Sequence, residues 1–270
     1  MIGGDRRQAE LARLLEEDGH IVHTYGLTSW KAVGASRLET AVMADVVVLP
    51  LPLCKEAGML NCDEFPMSTM ELFRGLCPGR RILAGQVKPE QQTEADACGL
   101  QILDYFQRED LTVANAAATA EAAIQTAMQH SDKMLMGMEC LVLGFGRIGR
   151  LLSYRLHALG AKVTATARRP EDIAWIRAYG WRAMETAKLD GEMKNVGIVF
   201  NTIPALVLDA SLLKQLPESC LCVELASTPG IDLEAAEELG LKNVWARSLP
   251  GRLVPCTAAV AIRDAIYYMI

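Results

Sequence analysis

The 270-residue sequence predicts an α/β protein of two open parallel-sheet domains, joined by a long helix, with a C-terminal helix crossing back onto the first. Three observations lead there. Short strand-like runs at 44–50, 81–84 and 101–104 alternate with polar, helix-compatible stretches, the pattern of parallel strands covered by helices. The alternation resumes with runs at 140–143, 162–167, 196–201 and 221–225. Between the two sets, 111–136 is rich in Ala, Glu, Gln and Met and free of Pro and Gly, so propensity favours one long helix that stops at Gly137. Single cores stop growing at about 250–300 residues, which also favours two domains.

Taken in order, a helix-like stretch at 8–17 stops at Gly19, and 21–25 reads as a strand. Only Met1 and Ile2 precede Gly3, so the first strand is either very short or lacks its leading residues in this numbering. The strand at 44–50 ends at Pro50 and Pro52, because proline cannot donate to a ladder. Residues 243–246 supply the last strand. After Pro250, Gly251 and Pro255 a final helix follows over 257–270. The first domain is therefore expected at 1–111, completed by 256–270, with a connecting helix at 112–136 and a second domain at 137–255.

Composition narrows the function classes. Hydrophobic residues make up 51% and charged residues 22%, a globular balance able to bury a core. A formal net charge of −6, with no basic stripe, argues against a nucleic-acid partner. No apolar run approaches the roughly 20 residues needed to cross a bilayer, and the first residues show no secretory leader pattern. The eight cysteines are scattered, and the C-x-C pair Cys220 and Cys222 fits neither zinc nor redox spacing. Reduced structural thiols in a cytoplasmic protein, and no metal site, are the expectation.

The run CLVLGFGRIG at 140–149 carries the most information. A buried strand feeds a G-x-G-x-x-G turn, and a helical pattern follows directly. Gly144 allows the tight turn, Gly146 lets a pyrophosphate approach the backbone, and Gly149 lets helix and strand pack closely. The helical pattern runs from Arg150 to Leu159, its N-terminal N–H groups suit phosphates, and Arg147 and Ile148 in the turn before it are cofactor-binding candidates. This is the Rossmann dinucleotide fingerprint. The next strand ends at Ala167, Arg168 and Arg169, where an NAD site carries an acid for the ribose 2′-hydroxyl. Two guanidinium groups suit a 2′-phosphate, so NADP is the expected cofactor. Ligands bind beyond the carboxyl ends of such strands. There Asn201 and Thr202 are placed either to bond the nicotinamide ribose or to cap a helix, and Ile203 and Pro204 to press on the ring. Ser227 and Pro250 end later strands and are placed to flank the carboxamide.

Several patterns occur together in order: GGDRRQ at 3–8, YFQRED at 105–110, NAAATAEAAIQ at 115–125, GFGRIG at 144–149, NTIP at 201–204, ELAS at 224–227 and LPG at 249–251. Over nearly its whole length the chain thereby resembles the dipicolinate synthase A family. One departure is TPGID at 228–232, with a single Gly where the family commonly shows Pro-Gly-Gly. The resemblance implies NADP-dependent oxidation of a dihydrodipicolinate-type ring to pyridine-2,6-dicarboxylate during sporulation. It also implies a second, smaller, flavoprotein-like subunit as partner. A small heterocycle with two carboxylates calls for two cationic clamps, for which Arg6, Arg7, Arg108 and Arg252 are candidates. Asp5 is placed to orient Arg6 or to cap the following helix. Asn115 and Thr119 share one face of the connecting helix and would line the cleft, whereas Glu121 points elsewhere. Asp5, Asp110, Glu121 or water would take the proton.

The layout is also similar to that of the D-2-hydroxyacid dehydrogenases, in which a flavodoxin-like domain precedes the Rossmann cofactor domain and a helix returns. Those enzymes use a late acid/base histidine, and here no His follows His157. A non-catalytic NADP-binding protein is the remaining alternative. Alanine-rich faces on the connecting helix would suit a homo-oligomer as well as packing within one chain.

Overall fold

A computed structural model describes residues 1–55 and 58–270. The chain forms two compact units, one of Met1–Asn115 with Pro250–Ile270 and one of Ala116–Leu249.

The first unit opens with α1 (Arg6–Glu17), α2 (Leu38–Ala41), β1 (Val46–Val48), α3 (Thr69–Gly75), β2 (Arg81–Ala84), α4 (Pro89–Ala97) and β3 (Ile102–Asp104). The three strands pair in parallel in the order β1-β2-β3. On the free edge of β1 the sheet continues as single bridges. Ile2 N donates to Val48 O at 3.2 Å, Tyr25 N to Met1 O at 3.0 Å, and Thr24 bridges Ala35. Counting these, the segments follow the 2-1-3-4-5 order of flavodoxin-like folds. The strand expected over 21–25 is thus reduced to Thr24 and Tyr25. Ile21 is 89% exposed, and the bonds to the N-terminal segment start only at His23, whose carbonyl accepts from Met1 N at 2.6 Å, and end at Tyr25, whose carbonyl accepts from Gly3 N at 2.8 Å. Alternation sorts the core into two layers. Val47 and Ile82, paired in register, face a cluster with Leu72 and Phe73, while Val48 and Leu83 face Leu11, Ala12 and Tyr105.

Helix α5 (Glu109–His130) begins in the first unit and ends in the second. It stops short of the expected Met136. Beyond His130, Ser131 Oγ accepts from Lys133 N at 3.2 Å and offers the backbone a turn instead of another helical bond. Lys242 Nζ meets the freed carbonyl of His130 at 3.2 Å.

The second unit contains β4 (Glu139–Leu143), α6 (Arg147–Ala158), β5 (Lys162–Ala167), α7 (Pro170–Ala178), β6 (Arg182–Glu185), β7 (Ile198–Asn201), α8 (Ala210–Leu213), β8 (Leu221–Glu224), α9 (Leu233–Glu238) and β9 (Lys242–Trp245). All six strands are parallel in the order β6-β5-β4-β7-β8-β9, the 3-2-1-4-5-6 arrangement of the Rossmann fold. Leu141, Leu143, Val199 and Cys222 point to one layer and pack on Leu213, Ile231 and Leu241. Edge strand β6 has no signal in the sequence. Its residues Arg182, Ala183, Met184 and Glu185 are half-buried or exposed and form no apolar run.

The chain then returns to the first unit through α10 (Leu249–Leu253) and α11 (Pro255–Tyr267). Ile262 and Ile266 of α11 join the layer formed by Leu11 and Leu83, and Tyr267 OH donates to Asp18 Oδ2 at 2.7 Å. The C-terminal helix therefore returns to the first unit, as the sequence predicts, and packs there on α1.

Candidate cofactor site and the loops around it

The three glycines between β4 and α6 do separate things. Gly144 has φ +96°, which only glycine adopts cheaply, and a Cβ there would stand 2.5 Å from Thr202 Oγ1. A Cβ on Gly149 would overlap the carbonyl oxygen of Gly144 and lie 2.9 Å from its carbon. Gly146 is the opposite case. It is extended (φ −76°, ψ −165°), and a Cβ would meet nothing within 4 Å. Open space beside a bare backbone, at a helix start without a side-chain cap, fits the pyrophosphate of a dinucleotide. Arg147 is exposed and Ile148 half-buried in the first turn of α6.

At the end of β5, Ala167 is buried while Arg168 and Arg169 are exposed. Arg168 has no hydrogen-bond or ionic partner among the described residues. Arg169 Nε donates to Asp172 Oδ2 at 2.8 Å, and Asp172 Oδ1 accepts from Arg150 Nη2 at 2.7 Å. Arg169 first, then Arg150, holds the Asp172 carboxyl below the usual range against the upward push of desolvation. Asp172 is thus committed to two arginines.

Beyond β7 and β8 the geometry revises the role of Asn201. Asn201 and Glu224, register partners at the ends of their strands, are both fully buried. Asn201 Nδ2 donates to the two Glu224 oxygens at 2.9 and 2.8 Å, and Asn201 Oδ1 accepts from Ile203 N at 3.1 Å. Glu224 also accepts from Ala226 N (2.7 Å), Gly230 N (2.8 Å) and Ile231 N (3.0 Å). Burial pushes its pKa up, and the Asn201 amide and these N–H groups pull it back. A Cβ on Gly230 would meet Asn201 Nδ2, Ala205 O and Ile203 O, each at 2.5 Å. Asn201 therefore braces the loops instead of reaching a ribose, because its amide already has partners in the protein. Thr202 likewise donates its hydroxyl to Leu143 O at 2.8 Å. Ile203 is half-buried, and Pro204 and Ser227 lie exposed on the braced loops.

In the first unit, Asp5 caps α1. Its Oδ1 accepts from Arg7 N at 2.9 Å, and Gln8 answers from the third helical position. Arg7, expected as a clamp, is 4% exposed, holds Asp5 Oδ2 through Nη2 at 2.7 Å and donates to Leu51 O. A Cβ on Gly251 would stand 2.7 Å from Asp5 Oδ2 and 2.9 Å from Arg7 Nε, so α10 lies directly on this pair. Pro250 is buried there. Arg6 is exposed with a loose 3.8 Å pairing to Glu10, and Arg252 is exposed with no partner among the described residues. Arg108 grips Asp110 at 2.7 Å, which lowers the pKa of Asp110, and lies 4.8 Å from the Tyr268 ring centroid. On α5, Asn115 is half-buried and Thr119 buried one turn on, while Glu121 is exposed and pairs with Arg155 at 3.2 Å. Replacing Arg7 with Met should lower the stability of this unit by about 2–3 kcal/mol, since the Asp5 carboxylate and Leu51 carbonyl lose their donor. Denaturant unfolding checks this; an unchanged midpoint contradicts the structural role.

Sequence reasoning missed Arg150, Asp172 and the bracing role of Glu224. The available signals were an arginine directly after the third glycine, an acid in the first turn of the next helix, and a charge ending the apolar strand LCVE.

Comparison with known proteins places both units. The N-terminal domain of dipicolinate synthase A matches residues 1–106, and the D-isomer specific 2-hydroxyacid dehydrogenase NAD binding domain matches residues 102–237. Dipicolinate synthase A of Bacillus subtilis (strain 168) is 28% identical, over 98% of this chain and 93% of that protein. The crystal structure of dipicolinate synthase A from Bacillus halodurans superimposes with a TM-score of 0.87 at 29% identity, covering 99% of this chain and 95% of that one. D-lactate dehydrogenase from Escherichia coli, at 14% identity and a TM-score of 0.61 over 100% of this chain and 96% of its own, shares the fold alone. The chain therefore belongs, through residues 102–237, to the D-isomer specific 2-hydroxyacid dehydrogenase NAD binding domain family, and it is similar from end to end to dipicolinate synthase A.

Proposed function

We propose that this chain is the dehydrogenase component of a dipicolinate synthase, oxidising a dihydrodipicolinate-type ring with NADP⁺ in the cytoplasm of a sporulating cell. The observation that carries the reading is the likeness to dipicolinate synthase A across both units. The ring loses one hydride and one proton and becomes aromatic. When bound, NADP⁺ supplies the hydride acceptor.

The chain's own residues supply the rest. Gly146, Arg147, Ile148 and the α6 N-terminus would hold the pyrophosphate, and Arg168 with Arg169 the 2′-phosphate. Ile203, Pro204 and Ser227 would position the nicotinamide end. Arg6 and Arg252, both exposed, are chain neighbours of the packed residues Arg7 and Gly251, and these two would clamp the substrate carboxylates. Asn115 and Thr119 would orient the ring. Asp5, Asp110 and Glu121 are each paired with an arginine, so the proton leaves to water, a step that the gain of aromaticity favours. The proposed partner is a second, smaller, flavoprotein-like subunit.

The test is turnover of freshly generated dihydrodipicolinate by the intact chain, with and without that partner. Dipicolinate and NADPH should form in equal amounts, and Arg6→Gln or Arg252→Gln should raise KM about tenfold or more while NADP⁺ affinity holds. Dipicolinate formed without NADPH, or D-lactate oxidised in its place, contradicts the reading.

A further inference from the structure

Asp172 draws together two guanidiniums from different elements. Its side chain is 9% exposed, in the first turn of α7. One oxygen accepts from Arg169 Nε at 2.8 Å, directly after β5, and the other from Arg150 Nη2 at 2.7 Å, in the first turn of α6. Arg150 is fixed a second time. Its Nε donates to Phe145 O at 3.0 Å, and its guanidinium carbon lies 4.9 Å from the Phe145 ring centroid, within the glycine turn itself. Yet neither arginine is used up. Both terminal nitrogens of Arg169 and Nη1 of Arg150 have no partner among the described residues, and Arg168 beside them has none at all. Three guanidiniums therefore stand against Asp172 and Glu171, which leaves a net positive charge where β5 and the glycine turn end.

Two long cations would otherwise repel each other and spread into solvent. A single carboxylate between them holds both while leaving N–H groups for an outside anion. We propose that Asp172 is a positioning residue that holds Arg150 and Arg169, with Arg168 beside them, as a ready-made clamp for the phosphomonoester on the ribose 2′-carbon of NADP. The inference rests on the NADP reading above and deepens it by adding Arg150 to the phosphate ligands. A clamp ordered before binding loses less freedom on binding, so affinity depends on the tether as well as on the charges.

The experiment is titration calorimetry of the intact chain with NADP⁺ and with NAD⁺, for the wild type, Asp172→Asn and Arg150→Met, with thermal unfolding as a check on folding. Removing a negative charge beside a phosphate would by itself tighten NADP⁺ binding. The proposal expects the opposite: Asp172→Asn weakens NADP⁺ about tenfold or more and leaves NAD⁺ within about twofold, and Arg150→Met does the same. Any loss caused by a disturbed glycine turn would fall on both cofactors alike and cancel in the ratio. Unchanged or tighter NADP⁺ binding by Asp172→Asn, or equal losses for both cofactors, overturns the proposal while the NADP reading stands. A wild type that prefers NAD⁺ overturns both.

Discussion

Replacing Glu224 with Ala will lower the stability of the second unit by about 3–5 kcal/mol, one of the two largest effects expected in this chain. The fully buried carboxylate accepts from the Asn201 amide and from the N–H groups of Ala226, Gly230 and Ile231. Each buried donor left unpaired costs about 1–3 kcal/mol, and water admitted to the vacated space recovers part of that. At about 2–4 °C per kcal/mol for a unit of this size, the melting transition should fall by about 10 °C. Glu224→Gln should fall between, because one oxygen becomes a donor facing other donors. The effect does not stop at stability. Gly230 O accepts from Val207 N and Leu208 N at 2.8 and 3.0 Å, and Trp245 Nε1 donates to Ala226 O at 3.0 Å, so Glu224 anchors a backbone network spanning both loops. Hydrogen exchange at Ala226, Gly230 and Ile231 should speed up in the variant. Unchanged melting with unchanged exchange would contradict the brace.

Gly149→Ala and Gly146→Ala should separate fold from binding. At Gly149, Ala is the better helix former by about 1 kcal/mol. The added methyl, however, overlaps the Gly144 carbonyl, and both groups are backbone, so neither can swing away. The clash wins. Gly149→Ala should lose about 1–3 kcal/mol of stability and nearly all dinucleotide affinity, because the turn itself moves. At Gly146 the backbone suits any residue and the space beyond is open, so Gly146→Ala should change stability by no more than about 1 kcal/mol, the ordinary difference between Gly and Ala as a cap. Its methyl nevertheless fills the space a pyrophosphate needs, and affinity should drop about 100-fold, or about 2.7 kcal/mol. Thermal unfolding and cofactor titration check both; undiminished binding by Gly146→Ala would remove the turn from the site.

What is legible in the sequence follows from which forces are local. Buried parallel strands read as apolar runs, so β1, β4, β7 and β8 stand out, and the glycines are legible because backbone sterics alone demand them. Edge strand β6 is not, since Arg182, Ala183, Met184 and Glu185 bury too little to pattern. The end of α5 is misread because propensity continues through Met134 and Met136, whereas Ser131 redirects the backbone at His130. Charged residues are the least legible. Nothing local distinguishes buried Arg7 from exposed Arg6, and the difference lies in Asp5, Leu51 and Gly251 meeting there. Arg150 reads as a surface helix arginine until Asp172 and Phe145 are seen against it, and Glu224 as a strand end until the Asn201 amide and three backbone N–H groups converge on it.

The central claim is that the second unit binds NADP across Gly146 with its 2′-phosphate among the arginines that follow β5. Titrating the intact wild-type chain with NADP⁺ and NAD⁺ at one salt concentration tests it most directly. The account predicts NADP⁺ bound at one site per chain, about tenfold or more tighter than NAD⁺. NAD⁺ bound equally well or better, or no binding of either, would contradict it.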